Sequence, residues 1–252
     1  MARIAERLTP EVRYSKLIEE LELTFCSSLS TNVIRCHCRK HGEVTLKVAH
    51  TSIGHTQMAN EARFLSLYRS HHWPEFIATG QYGNQMWLMT HFEEGTPLSN
   101  LRVLDSITQS ELLSSLEMVL NKLHQTGYIH GDVKPANILV THSGAVKLID
   151  LGSVLPINSY YADLKHSTIS PSYSSINPHA RKHHVHPQDD FFSLAVTVQT
   201  LYTAHPFKGT SILEYAKQKK APIIEALPTR YQILLLKHLG WTKHYLAESD
   251  TY

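Results

Sequence analysis

A short stretch of the chain, His130–Leu139, places a carboxylate, a cation and an amide at fixed offsets: Asp132, Lys134 and Asn137. A second carboxylate, Asp150, follows after a short apolar stretch. Transfer of a phosphoryl group from a metal–nucleotide complex needs a carboxylate that orients the attacking hydroxyl, a cation for the transferred phosphate, and oxygen ligands for Mg²⁺. These side chains supply each of those parts, so their spacing indicates phosphoryl-transfer chemistry.

The two segments resemble the catalytic loop and the metal-binding Asp-Phe-Gly element of protein kinases, with Leu151 in place of phenylalanine. The resemblance implies that Asp132 accepts a hydrogen bond from the substrate hydroxyl and aims it at the γ-phosphorus of ATP. It also implies that Lys134 neutralises the transferred phosphate. Asn137 and Asp150 are then expected to hold Mg²⁺, because a hard cation prefers oxygen ligands.

The first third of the chain contains most of the residues that the resemblance assigns to ATP. Lys47 resembles the strand lysine that contacts the α- and β-phosphates, and Glu61, the only acid in the next predicted helix, is its expected ion-pair partner. Thr90 falls where the hinge guards the back of the adenine pocket, and the backbone of His91 and Glu93 is expected to pair with the adenine edge. Three further side chains are expected to sandwich the adenine ring: Val33, Thr45 and Leu139.

The second half of the chain carries further matches. Residues 168–177 resemble the end of an activation segment, and the resemblance implies that Thr168 bonds Asp132 and Lys134. Asp190 opens a segment that resembles the helix anchoring the catalytic loop, where the acid accepts backbone N–H bonds. A lysine followed by proline after the catalytic acid favours a serine/threonine kinase over a tyrosine kinase.

The sequence departs from the family pattern in three places. Cys26–Val33 stands where Gly-x-Gly-x-x-Gly is expected, which predicts weaker nucleotide binding or a different closure of the phosphate loop. Gly131 replaces the arginine that pairs with an activation-loop phosphate, so we expect activity without that switch. Ile176 and Asn177 replace a Pro-Glu pair, and Asn177 cannot supply the charge of the buried ion pair that the glutamate makes.

The pattern of apolar residues predicts a strand-rich first part and a helical second part, hence an α+β protein. With the resemblance, this predicts a bilobal kinase fold: a small sheet lobe with one helix over residues 1–92, for nucleotide binding, and a reduced helical lobe over residues 93–252, for catalysis and substrate. The predicted strands cover 21–25, 33–38, 44–48, 76–81 and 85–90. The predicted helices cover 57–68, 110–126, 191–202, 212–219 and 231–239, after a helical lead-in over 1–20.

The helix predicted over 110–126 has the clearest boundaries. Thr108 and Glu111 have the spacing of a capping box, and Gly127 is suited to ending the helix. Six leucine and valine residues recur along one face of the helix.

Composition excludes several classes of protein. A net charge of +2 gives no argument for bulk binding to nucleic acid or to an anionic membrane. No apolar run approaches the ~20 residues that span a bilayer, and the start of the chain lacks an apolar signal core. Three cysteines are too few for a disulfide framework, so a cytoplasmic location is expected.

The chain has eighteen histidines, which raises the question of metal binding. Cys36, His37, Cys38 and His41 lack the paired spacing of zinc ligands, and the segment is predicted to be a β-hairpin. A second group, His183, His184 and His186, is predicted to lie in a polar loop that is solvated or faces the substrate.

Three functional hypotheses follow. The leading one is an ATP-dependent protein serine/threonine kinase that uses Mg²⁺ and transfers the γ-phosphate to a protein hydroxyl. The alternatives are a small-molecule kinase of the aminoglycoside or choline type and a non-catalytic pseudokinase. The sequence leaves the physiological substrate and the oligomeric state open.

Overall fold

The computed structural model describes residues 9–101, 108–164, 169–218, 220–225 and 227–249. The chain divides into two compact units, Met1–Glu94 and Gly95–Tyr252. The first unit combines a sheet with helices and the second is mainly helical, so the predicted α+β class is confirmed.

The first unit is built on a five-stranded antiparallel sheet with strand order β1-β2-β3-β5-β4. Its strands are β1 (Leu23–Ser30), β2 (Val33–Cys38), β3 (Gly42–Ala49), β4 (Phe76–Tyr82) and β5 (Gln85–His91). Its described helices are α1 (Pro10–Arg13), α2 (Ser15–Glu20) and α3 (Ser52–Leu67). The five strands and the helix α3 were all predicted. The hairpin β2–β3 accounts for the cysteine and histidine segment.

Helices cover both faces of this sheet. Leu46, like every second residue of β3, lies in a buried cluster with Tyr14 and Leu17, which belong to the lead-in helices. Side chains of α3 pack from the opposite side, where Met58 contacts a cluster that includes Leu88. Residues 1–8 lie outside the described residues, and the rest of the lead-in, residues 9–20, contributes to the core of this unit.

The helix α3 begins five residues earlier than predicted. Thr51 has an extended backbone, and its hydroxyl accepts a 3.1 Å hydrogen bond from the Gly54 amide. A capping threonine of this kind satisfies one of the orphan N–H groups in the first helical turn. Because α3 starts early, Glu61 lies in the middle of a long helix, opposite the sheet.

The second unit contains five helices among its described residues, together with short strands. The helices are α4 (Gln109–His124), α5 (Ile176–Ala180), α6 (Pro187–Tyr202), α7 (Ile212–Ala216) and α8 (Thr229–Ser249). The strands are β6 (Thr96–Pro97), β7 (Tyr128–Ile129), β8 (Ile138–Val140), β9 (Val146–Leu148) and β10 (Leu155–Pro156). They form one sheet of order β6-β8-β9 and one pair, β7 with β10.

The predicted helix α4 is confirmed, although it begins one residue earlier and ends two residues earlier than the predicted range 110–126. Thr108 and Glu111 form both bonds of the capping box, and Gly127, just after the helix, has φ +86°. The whole predicted apolar stripe is buried, namely Leu112, Leu113, Leu116, Val119, Leu120 and Leu123. This stripe packs α4 into the core of the second unit.

The last helix is longer than predicted. The sequence prediction ended it at residue 239, before Gly240, whereas α8 continues to Ser249. Buried side chains at Leu235, His238 and Thr242 maintain the helical spacing across the glycine, so packing outweighs the cost of one glycine in a helix. Within the described residues, no helix has an apolar stretch long enough to cross a bilayer.

Gly131 lies where two segments of the second unit come together. Pairing of β7 with β10 brings the chain after Ile129 beside the chain before Leu155. The backbone of Gly131 has φ +76°, and a Cβ atom there would lie 2.4 Å from the carbonyl oxygen of Ser153. The glycine that replaces the expected arginine is therefore favoured by local geometry.

We expect Gly131→Ala to lower the free energy of unfolding more than Gly144→Ala does. Gly144 has a similar φ of +79°, but a Cβ atom added there would meet open space, so it reports only the backbone strain, about 1–2 kcal/mol. Urea unfolding of both variants measures the difference, which is the steric contribution of Ser153. Equal losses in the two variants would show that the Ser153 contact imposes no constraint.

Candidate active site

Lys47 and Glu61 form a close ion pair inside the first unit. The Lys47 Nζ lies 2.7 Å from Glu61 Oε1 and 2.9 Å from Oε2, so it bridges both carboxylate oxygens. The Glu61 side chain is only 4% exposed, and that of Lys47 is 19% exposed. A carboxylate buried to this extent needs a cation, which fixes the long lysine side chain in one direction.

Two of the three side chains expected around adenine share the sheet face that carries Lys47. Val33 lies directly opposite Lys47 in the β2–β3 register, and Thr45 lies opposite Thr90 in the β3–β5 register. Directly opposed residues in an antiparallel pair point to the same side of the sheet. Leu139, the third expected adenine contact, is a buried residue of β8 in the second unit.

The expected hinge lies at the end of β5. The N–H of His91 donates to the backbone carbonyl of Glu75 at 2.9 Å, and the N–H of Phe92 donates to the backbone carbonyl of Glu43 at 3.0 Å. The predicted adenine contact of His91 therefore has to use its carbonyl oxygen, because the amide is already engaged. Glu93 follows directly on this anchored segment.

The glycine-free segment that is expected to cover the phosphates folds as a tight hairpin. β1 and β2 remain paired up to Ser30 and Val33, which leaves a turn of two residues, Thr31 and Asn32. The phenol of Tyr14 donates to Asn32 Oδ1 at 2.9 Å and lies 2.9 Å from His50 Nε2. The turn is thus tied to the lead-in helices, an arrangement that the sequence did not reveal.

Asp132 is held in the second unit through one of its two oxygens. Its Oδ2 accepts hydrogen bonds from Lys134 Nζ at 2.6 Å and from Asn137 Nδ2 at 3.1 Å. Its Oδ1 is buried and has no hydrogen-bond partner among the residues that the structure describes. A buried carboxylate oxygen without a partner is costly and rare, so it marks a position prepared for a ligand.

His130 positions Asp132 from the buried side of the loop. Its Nδ1 accepts from the Asp132 amide at 3.2 Å, and its Nε2 lies 3.3 Å from the Ile149 carbonyl. These partners assign the proton to Nε2. The ring connects the segment of Asp132 with the segment that ends in Asp150, because Ile149 directly precedes it.

Asn137 and Asp150, the expected metal ligands, lie on adjoining segments. The Ile149 amide donates to the Asn137 carbonyl at 2.9 Å, and the Asn137 amide nitrogen is turned towards Asp132. Asp150 has φ +61° and ψ +63°, a left-handed conformation that is uncommon outside glycine. Strained backbone of this kind persists where surrounding structure enforces it, often at functional sites.

Lys134 contacts Ser170, which was not the residue predicted to bond this lysine. Its Oγ accepts a 2.8 Å hydrogen bond from Lys134 Nζ. Thr168, to which the sequence analysis assigned this contact, lies outside the described residues. In the sequence, Ser170 was only one of several polar residues in the segment 168–177 that resembles the end of an activation segment.

Asp190 accepts the predicted backbone bonds. Its Oδ2 accepts from the His130 amide at 2.8 Å, and its Oδ1 accepts from the Gly131 amide at 2.9 Å. A third partner, His124 Nε2, lies 2.8 Å from Oδ2 and was not predicted from the sequence. Its position in the last turn of α4 was the only sequence signal for this contact.

Asp189, the neighbouring acid, anchors the segment around Asn177. Its Oδ1 accepts from Ser175 Oγ at 2.5 Å and Asn177 Nδ2 at 2.9 Å, and its Oδ2 accepts from the Tyr161 hydroxyl at 3.1 Å. Burial raises the pKa of Asp189 above its usual range. Asn177 supplies no charge, as predicted, but the structure uses it as a hydrogen-bond donor to this carboxylate.

Comparison with known proteins gives the same family as the motifs. The family model described as protein kinase domain matches residues 29–242. The chain is 30% identical over 163 residues to the citron rho-interacting kinase of Rattus norvegicus, covering 60% of this chain and 8% of that protein.

Two bacterial relatives are similar over comparable stretches. The chain is 29% identical over 169 residues to the serine/threonine-protein kinase PknL of Mycobacterium tuberculosis, covering 62% of this chain and 42% of that protein. It is 30% identical over 149 residues to the probable serine/threonine-protein kinase PknB of Lactococcus lactis, covering 54% of this chain and 23% of that protein. The chain thus spans less than half the length of each of these relatives. Because the family model matches most of its residues, the chain belongs to the protein kinase domain family.

Proposed function

We propose that the chain is an ATP-dependent protein serine/threonine kinase. The observation that carries this proposal is the hydrogen bonding of the Asp132 carboxylate. Its Oδ2 accepts from Lys134 and Asn137, whereas its Oδ1 lacks a partner among the described residues. The relatives named as serine/threonine-protein kinases support the choice of a protein hydroxyl as acceptor.

In the proposed mechanism, Asp132 Oδ1 accepts the hydrogen bond of the substrate hydroxyl and holds its oxygen in line for attack. Lys134 Nζ, 2.6 Å from Asp132 Oδ2, faces the charge of the transferred group. Preorganised groups of this kind need no rearrangement when charge develops, and positioning supplies much of the rate in phosphoryl transfer. Ser170 holds the lysine from its other side.

The donor set fits ATP with Mg²⁺. Asn137 and Asp150 offer the amide and carboxylate oxygens that Mg²⁺ prefers, and we propose that they hold it. The bound metal would neutralise charge on the phosphates. In the first unit, Lys47 is aimed by Glu61, and we propose that it contacts the phosphates. We propose that the first unit binds the nucleotide and the second carries out transfer.

The two alternative hypotheses are less well supported. A metabolite kinase needs a small acceptor, whereas the family match and the named relatives are protein kinases. A non-catalytic binding module has no chemical need for the joint arrangement of Asp132, Lys134 and Asn137. We also propose a cytoplasmic location, supported by three cysteines that are all free thiols.

Asp132→Asn should reduce phosphoryl transfer by about 100-fold or more, because the amide cannot act as the proton acceptor. ATP binding should be retained, since Asp132 is not a proposed nucleotide ligand. Transfer from γ-labelled ATP to a generic basic protein measures the first, and calorimetry measures the second. Asp163→Asn, at an exposed acid, is the matched control. Undiminished transfer by Asp132→Asn would sink the mechanism, and a wild type that binds ATP without transfer would favour the pseudokinase.

Ser170→Ala should reduce transfer by about tenfold or more, because Lys134 loses a charge-assisted hydrogen bond. Ser170→Thr keeps the hydroxyl and should remain close to wild type. Ser170→Glu should not restore activity, since a carboxylate would compete with Asp132 for the lysine. Ser172→Ala is the control. If Ser170→Glu matched wild type while Ser170→Ala was inactive, Ser170 would act as a phosphorylation switch and not as a positioning residue.

Tyr14→Phe should raise the KM for ATP about threefold or more with little change in kcat. The phenol fixes the Thr31–Asn32 turn, and its loss removes hydrogen bonds worth about 1 kcal/mol each. Steady-state kinetics with varied ATP measure the effect, with Tyr82→Phe on the edge strand β4 as control. An unchanged KM would indicate that the hairpin does not contact the nucleotide.

A further inference from the structure

A pocket in the second unit lies among residues to which the proposed reaction assigns no role. Its volume is about 460 Å³, within the size range of small-ligand sites. It is lined by α5, the loop before α6, the first turn of α6 and the C-terminal half of α8. The lining residues are Asn177, Lys182, His183, His184, His186, Gln188, Trp241, His244 and Tyr245.

The lining combines cationic and imidazole side chains with amides and aromatic rings. One lysine and four histidines contribute, and none of the described residues that line this pocket is an aspartate or a glutamate. Asp189, the acid next to Gln188, is 4% exposed and is bonded to Ser175, Asn177 and Tyr161. The charge that the pocket can present to a ligand is therefore positive.

Several of these side chains have fixed positions. His186 caps α6, and its Nδ1 accepts from the Gln188 amide at 3.1 Å, so Nε2 carries the proton and remains a donor. The ammonium of Lys182 lies 5.1 Å from the centre of the Tyr245 ring. The ring of His184 stands edge-on to Tyr160, whose hydroxyl donates to the Lys182 carbonyl at 2.5 Å.

A buried histidine lies beneath the aromatic side of the pocket. The ring of His238 is 4.9 Å from that of Trp241, and neither of its nitrogens has a hydrogen-bond partner among the described residues. Burial, with the positive charge of Lys237, lowers the pKa of His238 to about 4, so this ring is uncharged near neutral pH. His238 therefore adds no positive charge to the pocket, and the charge comes from the residues of the pocket wall.

We propose that this pocket binds a phosphate monoester carried on a peptide, as a docking site separate from the catalytic residues. A phosphate monoester has close to two negative charges and three strong acceptor oxygens, which matches several N–H donors without a carboxylate. The volume exceeds that of the phosphate group, and Trp241 and Tyr245 supply apolar surface for the adjoining peptide. Among the described residues, no group of three histidine, cysteine or acidic side chains has the arrangement of a metal site.

The site does not depend on the proposed transfer reaction, so binding is measured without ATP. Calorimetry with a phosphoserine peptide, the same peptide unphosphorylated, and inorganic phosphate separates the sources of the anion. The double variant Lys182→Ala/His183→Ala removes two donors, and Lys220→Ala, an exposed lysine outside the lining, is the matched control. Urea unfolding of each protein verifies that the fold is intact.

The proposal expects the phosphopeptide to bind, with the unphosphorylated peptide at least about tenfold weaker. The double variant should lose about tenfold or more in affinity, Lys220→Ala should retain it, and added salt should weaken it. Phosphate binding as tightly as the phosphopeptide would overturn the peptide source. Phosphopeptide binding that the double variant retains, or no binding by the folded wild type, would overturn the site itself.

Discussion

The second unit depends on two neighbouring carboxylates, Asp189 and Asp190, at the start of α6. Both are almost fully buried, which is costly for an acid unless hydrogen bonds compensate. Asp190 accepts the amides of His130 and Gly131 and so fixes the chain just before Asp132. Asp189 accepts from Tyr161, Ser175 and Asn177 and so fixes the chain after Ser170. The two acids are consecutive on one rigid helix, α6. This one helix therefore sets the distance between Lys134 and its partners Asp132 and Ser170.

Much of this arrangement was predictable from the sequence, for identifiable reasons. The helix α4 is recognisable by its apolar spacing and its capping box, and Asp190 and Glu61 follow from motif positions relative to Asp132 and Lys47. Signals of this kind can be read from the order of the residues alone, and the folded structure keeps them. The contacts of His124, Tyr161 and Asn177 were not predictable, because each joins segments far apart in the chain by a single polar group. The length of α8 was underestimated because burial at Thr242 outweighs the helix-breaking tendency of Gly240.

The first unit holds its glycine-free hairpin in a specific way. A glycine-rich loop gains access to phosphate through backbone freedom. Here β1 and β2 stay paired to a two-residue turn, and Tyr14 holds that turn from helices that lie before the matched family region of residues 29–242. The lead-in therefore takes part in shaping the expected nucleotide-binding surface. A fixed hairpin adapts less to a ligand than a mobile loop does, but its surface is already formed before binding.

The close approach of Gly131 to Ser153 constrains how this protein can diverge. Any side chain at 131 meets the Ser153 carbonyl before it meets solvent. An arginine at that position, the residue expected to pair with an activation-loop phosphate, therefore requires the neighbouring backbone to move. The residue at 131 and the backbone at 153 are therefore coupled, because a side chain at the first position requires a shift at the second.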